Sequence, residues 1–463
     1  MSETETRGAT DRLHDQLDVI VALLRERGEG LLPPLAHARL QRILDDLHPA
    51  DIAFILESLP LDDRLAVWQC VKADRDGDIL LEVSDAVRES LIADMDRHEI
   101  MAAVEPLDAD EVADLVEDLP TAMLPELMAS LDIQQRQQVQ SALSYEDDQL
   151  GALMDFEMLT ISENVSLDAV LRYLRHFDEL PPQTDKLFVV NQENLLTGVL
   201  PLHWLLVNAP ETMVSEVMAP DVNTFHPTDD AYEVAQAFER YDLVTAPVVD
   251  EAGHLIGRIT IDAMVDVIRE EGESEMLGRA GLREEEDIFA SIWASVRNRW
   301  AWLAINLVTA FVASRVIGLF EGAIEKLVAL ATLMPIVAGI GGNSGNQTIT
   351  MIVRAMALDQ VNPNAIRRLW RKELGVALFN GLAWGGVIGI VAALLYHSPM
   401  LGLVMTAAMT LNLLLAAFMG VGIPMMMIRL GRDPALGSSI FLTFMTDSGG
   451  FFIFLGLATI FLV

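Results

Sequence analysis

Asp447 is the residue whose type and position most restrict the chemistry open to this chain. It stands inside the apolar run FLTFMTDSGGFFIFLGLA, with no Lys or Arg in the run to neutralise it. A carboxylate near the middle of a membrane-spanning segment costs at least ~2.5–3.5 kcal/mol, so it normally faces a water-filled path or a partner. Two readings follow. Either the acid is protonated and satisfied by the hydroxyls of Thr443 or Thr446, or by a serine on a neighbouring helix, or it is a cation site. The small residues Ser448, Gly449 and Gly450 let backbones approach and expose carbonyls, which favours the cation. The second feature is MPIVAGIGGNSGNQT at 334–348, where Pro335 removes a helix hydrogen bond and Gly339, Gly341, Gly342 and Gly345 weaken the helix further. Asn343, Asn346 and Gln347 add oxygen ligands and donors at the same depth. A glycine face for helix packing accounts for the glycines alone. Two asparagines and a glutamine beside them point instead to a cavity wall, where irregular backbone is tolerated.

One membrane carboxylate among carbonyl and amide oxygens, without Cys or His nearby, suits a hard cation. Mg²⁺ keeps several of its waters and needs one or two carboxylates, so one Asp per subunit facing its symmetry mate across a dimer axis would serve. Ca²⁺ wants six to eight direct oxygens, and soft metals want thiolate, thioether or imidazole. The run Met425-Met426-Met427 therefore reads as packing or lipid contact. No nucleophile–base pairing, phosphate loop or ligand-spaced histidines point to an enzyme.

The elements that must hold these residues separate by charge. The chain has 463 residues, a formal net charge of −37, 52% hydrophobic residues and a mean hydropathy of +0.33. Residues 301–463 hold nine Lys and Arg and six Asp and Glu, leaving 22 basic and 62 acidic residues in 1–300. An acidic soluble region thus precedes a membrane domain. A net −40 repels phosphates and excludes nucleic acid as a partner, while attracting cations. The single Cys70 excludes a disulfide framework and a Cys-based zinc site, and the start MSETETRGAT has no apolar run of the signal-peptide kind.

Five apolar stretches, near 300–320, 328–356, 373–396, 400–428 and 435–462, are each long enough to span a bilayer. Arg297 and Arg299, then Arg354, Arg367, Arg368, Arg371 and Lys372, then Arg429 and Arg432 fall in alternate connections, all on the side of the soluble region. Positive-inside counting places the N-terminus in the cytoplasm and the C-terminus outside.

Along the soluble region, 1–35 is a polar N-terminal segment and 36–148 is helical throughout. HPADIAFILESLP at 48–60 echoes DADEVADLVEDLP at 108–120, as stacked helical hairpins of a superhelix would. From 149 to 267 short β-branched runs alternate with turns and helices in two units, 149–208 and 214–267, that resemble a tandem pair of CBS repeats. A helical acidic connector, 268–299, leads to the membrane domain at 300–463. The acidic groups Asp110, Glu111, Asp114, Glu117 and Asp118, and Asp242, Asp262, Asp266, Glu270, Glu271, Glu273 and Glu275, repel one another. Divalent cations bridging these segments would relieve that repulsion and make a switch: compact when bound, splayed when lost.

These pieces in this order resemble the MgtE family of magnesium channels, on GGNSGNQ in the second span, Asp433-Pro434-Ala435 opening the fifth, and Thr443, Thr446 and Asp447 within it. The resemblance implies a superhelical N domain, an α+β CBS pair, a connecting plug helix and five transmembrane helices, assembled as a homodimer with the pore on its axis. It implies that Asp447 coordinates hydrated Mg²⁺, with Asn343 and Thr443 lining the pore and Asp433 near the cytoplasmic mouth. It further implies Mg²⁺ bridges through Asp110 and Asp114 of the N domain, Asp242 and Asp266 of the CBS module, and Glu271 and Glu275 of the plug helix. Ser274 and Tyr232 stand where other family acids are expected, so two bridges differ here. Some members bind ATP between the CBS repeats. Asp262 keeps a ribose-binding look, but His203-Trp204 replaces the usual basic–acidic pair in the first repeat, which counts against ATP.

The expectation is a Mg²⁺ channel of a bacterial inner membrane, taking up Mg²⁺ and gated by cytosolic Mg²⁺ held between N domain, CBS pair and plug helix. The alternative is a secondary transporter exchanging Mg²⁺ or another divalent cation for Na⁺ or H⁺, since broken helices with a midplane carboxylate suit that class too. A membrane-tethered regulatory protein would leave Asp447 as an unexplained cost.

Overall fold

A computed structural model describes residues 3–27, 33–282, 287–357, 363–431 and 437–463, with side chains for all of these except 3–11, 279–280, 294, 357 and 363–365. Asp433, with the Asp433-Pro434-Ala435 motif, lies outside the described residues. The chain divides into two compact units, Met1–Gly272 with Glu286–Ala290, and Glu273–Glu285 with Ser291–Val463.

The first unit begins with short helices between Glu3–Leu24 and Ile133–Ala142. Their starts are written in the sequence. The helix Pro49–Glu57 has Pro at its first position and His48 accepting from the Ala50 N–H at 3.3 Å. Ala109–Val116 opens on a capping box of Asp108 and Glu111, which satisfies backbone donors that would otherwise be left free. Both helices bury one apolar face, Ile52, Ile55 and Leu56 in the first and Val112, Leu115 and Val116 in the second, in one continuous core. The sixty-residue echo is therefore a repetition of elements as well as letters.

Two α+β lobes follow. In the first, strand β1 (Thr160–Ser162) runs parallel to β2 (Lys186–Val190), which pairs antiparallel with β3 (Leu196–Pro201). In the second, β4 (Thr245–Val249) pairs antiparallel with β5 (Leu255–Thr260). The register slips at the same place in each, between Val189 and Val190 and between Val248 and Val249. Turn residues join the lobes, with the Leu255 N–H donating to Asn194 O at 3.1 Å and Leu196 N–H to Gly253 O at 3.1 Å. Each lobe has its own core, around Leu187, Val189 and Leu200 in one and Phe238, Val248 and Ile259 in the other. The helix Ile261–Ala280 leaves directly from β5.

The second unit is built on the helices Ile292–Gly318, Ala329–Ala357, Pro363–Leu395, Pro399–Arg429 and Ser438–Phe461. Four of them carry segments long and apolar enough to cross a membrane: Ser295–Gly318, Ile366–Leu395, Pro399–Arg429 and Ser438–Phe461. Ala329–Ala357 has the length, 29 residues, but not the composition, because GGNSGNQT dilutes its apolar character. Pro399–Arg429 is the central helix and packs against Ala329–Ala357, Pro363–Leu395 and Ser438–Phe461. Phe379, Leu382, Trp384, Ile390 and Leu394 of Pro363–Leu395 point outward, as a lipid-facing side requires.

Candidate functional site

The glycines and the amides of the GGNSGNQ segment lie on opposite faces of one helix. A side chain at Gly341 would come within 2.2 Å of the Asn412 amide, and one at Gly345 within 2.7 Å of Leu442, so this face packs tightly on Pro399–Arg429 and Ser438–Phe461. Asn343, Asn346, Gln347, Thr350 and Met351 line an open cavity of about 650 Å³ on the other side. A packing face and a polar wall were competing readings of the sequence; the helix carries both.

Asp447 is partly exposed on Ser438–Phe461, one residue from Thr446, whose hydroxyl lies 3.8 Å from the position a Cβ on Gly342 would take. The helices bearing Asn343 and Asp447 thus meet next to both residues. The hydroxyls offered as partners for a protonated acid turn away: Thr443 donates to Ser439 O at 2.8 Å and Thr446 to Leu442 O at 3.0 Å. Among the described residues Asp447 has no ion pair or hydrogen-bonded side-chain partner. An acid placed in this way is able to offer its oxygens to water or a hydrated ion.

Two polar residues of this unit carried no signal in the sequence reading. Asn412 is fully buried, donates to Val337 O at 2.9 Å and leaves its Oδ1 without a partner. Glu373 is also buried, accepts from Thr348 Oγ1 at 3.3 Å and lies 3.2 Å from Lys372 Nζ. It directly follows Arg371 and Lys372 in the sequence. A lone amide in the apolar run Pro399–Arg429 was the signal available for Asn412.

In the first unit the carboxylates gather at two places. Asp110 is pushed up to about 7, chiefly by burial and then by the charges of Asp155, Glu111 and Asp108. Asp155 is itself raised by burial, although Arg258 holds it through Nε and Nη2, both at 2.7 Å. At the second place Asp114 pairs with Arg88 at 3.3 Å and its charge bears on Asp266 and Glu270. Burial raises both of those acids, and Asp85 adds to the repulsion on Glu270. Asp114 is thus near enough to Asp266 and Glu270 for its charge to act on both, while Asp110 feels the charge of Asp155. Glu270 lies one turn after Asp266, on the same stripe as Asp262. Asp76 is a further acid raised to about 7, by burial, then by Glu99 and Asp74.

The other expected residues are more dispersed. Asp242 is exposed, in the left-handed conformation at the end of Ala231–Tyr241. Glu271 and Glu275 lie on Ile261–Ala280, Glu271 exposed and Glu275 partly so. Asp262 accepts from Gln183 Nε2 at 2.9 Å. Among the described residues no three His, Cys, Asp or Glu side chains come close enough to grip a bare metal. Oxygen-only groups of this kind suit a cation that keeps its waters better than a bare one.

The family model for MgtE, a divalent cation transporter, matches residues 334–457, that for the MgtE intracellular N domain matches 47–148, and that for the CBS domain matches 214–270. The magnesium transporter MgtE of Thermus thermophilus is 30% identical over 433 residues, covering 91% of this chain and 95% of that protein. The magnesium transporter MgtE of Bacillus subtilis is 28% identical over 421 residues, covering 91% and 93%. A crystal structure of the cytosolic domain of the Mg²⁺ channel MgtE in complex with ATP aligns at 29% identity over 54% of this chain and 99% of that one, with a TM-score of 0.48.

Proposed function

Because this chain belongs to the MgtE family, whose members are transporters and not enzymes, we propose that it carries Mg²⁺ into the cell as a channel gated by cytosolic Mg²⁺. The observation that carries the reading is the pairing of an unpartnered Asp447 with an exposed amide face on the adjoining helix. A polar face open on a membrane helix is costly in lipid, and is relieved if a second copy closes it into a water-filled path. Asp447 from each subunit would then attract the hydrated ion, while Asn343, Thr443 and the backbone near them hold its water shell. Asp433 would stand near the cytoplasmic mouth.

In this reading Ala329–Ala357 is the second of five spans: its 29 residues reach roughly 43 Å at 1.5 Å each, ample for the hydrocarbon core. Five spans and the basic clusters put the N-terminus in the cytoplasm and the C-terminus outside, in a bacterial inner membrane. Cytosolic Mg²⁺ would bridge Asp110 and Asp114, Asp242 and Asp266, and Glu271 and Glu275 of the plug helix. ATP is secondary here, since a nucleotide on Asp262 must displace Gln183. The exchanger reading draws on Glu373, a buried carboxylate of the same unit.

The test is Mg²⁺ influx into proteoliposomes containing the full chain. Asp447→Ala should abolish influx while the protein still elutes at the wild-type oligomeric size, and normal influx in that variant rejects the pore role. Single-channel currents without a Na⁺ or H⁺ gradient separate channel from exchanger, because conduction is orders of magnitude faster than a transport cycle.

A further inference from the structure

The helical part of the first unit contains two arginine sockets of the same design, 24 residues apart. In one, Arg88 Nε donates to Leu80 O at 2.8 Å; in the other, Arg64 Nε donates to Leu56 O at 2.9 Å. Both guanidinium groups are withdrawn from solvent, Arg64 completely. They differ in what neutralises them. Arg88 meets Asp114 and Asp118, each at 3.3 Å, from within the same helical array. Arg64 meets Asp287, Nη1 to Oδ2 at 2.7 Å, from a turn 223 residues away in sequence and five residues before the helix Ile292–Gly318.

The Arg64 socket holds its side chain independently of Asp287: Nη2 donates to Leu59 O at 3.1 Å, and Nη1 also reaches Ser90 Oγ at 3.2 Å. The carboxylate is equally fixed, since its other oxygen, Oδ1, accepts from the Phe289 N–H at 2.9 Å. A fixed, dry guanidinium is a poor place to leave a positive charge unpaired, so removing its carboxylate costs far more than breaking a surface pair. We infer that Arg64 is a docking socket for the chain's own 287–290 turn, which ties the helical N-terminal array to the segment entering the first membrane helix. Because the turn is seated while the array and the α+β lobes form one compact unit, the contact favours the compact, cation-holding arrangement. This consequence for gating rests on the function proposed above; the docking itself does not.

The experiment uses the full chain in liposomes, comparing wild type with Asp287→Asn, Asp287→Ala and the control Arg88→Gln. Hydrogen exchange reads the docking, and Mg²⁺ influx at varied lumenal and external Mg²⁺ reads the gating. Docking predicts at least tenfold faster exchange at Ala290, whose N–H donates to the backbone O of residue 287, in both Asp287 variants and no change there in Arg88→Gln. Unchanged exchange in the Asp287 variants overturns the socket. The gating role predicts at least a threefold rise in the cytosolic-side Mg²⁺ needed for half-inhibition, with influx at low Mg²⁺ preserved. Faster exchange with an unshifted midpoint removes the gating role alone, and a wild type that Mg²⁺ never inhibits removes the proposed regulation without touching the docking result.

Discussion

Asn412 sits where a polar side chain has the least freedom in the second unit. One end of its amide is satisfied by Val337 O and the other end is dry and unpartnered, an omission that costs about 1–3 kcal/mol in a buried site. What fits around it is equally narrow: a methyl group at Gly341 would lie 2.2 Å from Nδ2, and one at Gly450 2.7 Å away. Asn412 thus acts as a spacer between the helix that carries Asn343 and the helix that carries Asp447. Gly341→Ala should lower the unfolding midpoint of the detergent-solubilised protein by several degrees, because a fully buried amide has nowhere to swing. Asn412→Ala alone loses one hydrogen bond, about 1 kcal/mol, and regains part of the desolvation cost of the free oxygen, so its effect is smaller. In the double variant the clash disappears and the Gly341→Ala penalty should largely vanish. Four melting curves check this, and strictly additive midpoints would show that the two residues do not share a contact.

At the scale of the element, the helix Ala329–Ala357 shows what the sequence did and did not disclose. Its glycines and amides were legible as letters, and both a packing face and a cavity wall were deducible from them. That the two occupy opposite sides was hidden, because the choice depends on which neighbours the helix meets. The same limit explains Glu373: nothing in the letters beside Arg371 and Lys372 marks it as interior, and only packing against Thr348 makes it so. The short β-branched runs and the sixty-residue echo were easier, since local propensity and alternation mark them without reference to distant partners. The carboxylate pairs were harder again, as charge runs along a chain do not say that Asp110 feels the charge of Asp155 or that Glu270 feels that of Asp114. The two-faced helix gives a split prediction. Gly345→Leu should destabilise the protein by clashing with Leu442, whereas Asn346→Leu, on the open side, should leave stability unchanged and reduce Mg²⁺ influx several-fold. Equal influx in Asn346→Leu and wild type would assign that face to lipid.

For the whole molecule the governing quantity is charge, net −40 before residue 301 and +3 after it. So large an excess on one part destabilises its compact form, and protons and divalent cations are alternative remedies. Asp110 and Asp76 are where the proton remedy acts most, each raised to about 7 from an ordinary carboxylate value near 4. A raised acid binds more protons folded than unfolded between pH ~4 and ~7, so the stability it provides is present at the acid end and is lost as pH rises through the folded value. In metal-free buffer the unfolding transition of the first unit within the intact protein should therefore move down by several degrees between pH 5.5 and pH 8. Added Mg²⁺ should raise it more at pH 8 than at pH 5.5, since an ion must displace the protons it replaces. Asp110→Asn should flatten the metal-free profile, because the uncharged amide has no proton to lose. Calorimetry of the full chain with and without Mg²⁺ at the two pH values measures all three effects. A transition that strengthens from pH 5.5 to pH 8 without metal would mean that the buried carboxylates are already neutralised by neighbouring cations such as Arg258 and Arg88, and that the acidic half needs no ion to stay compact.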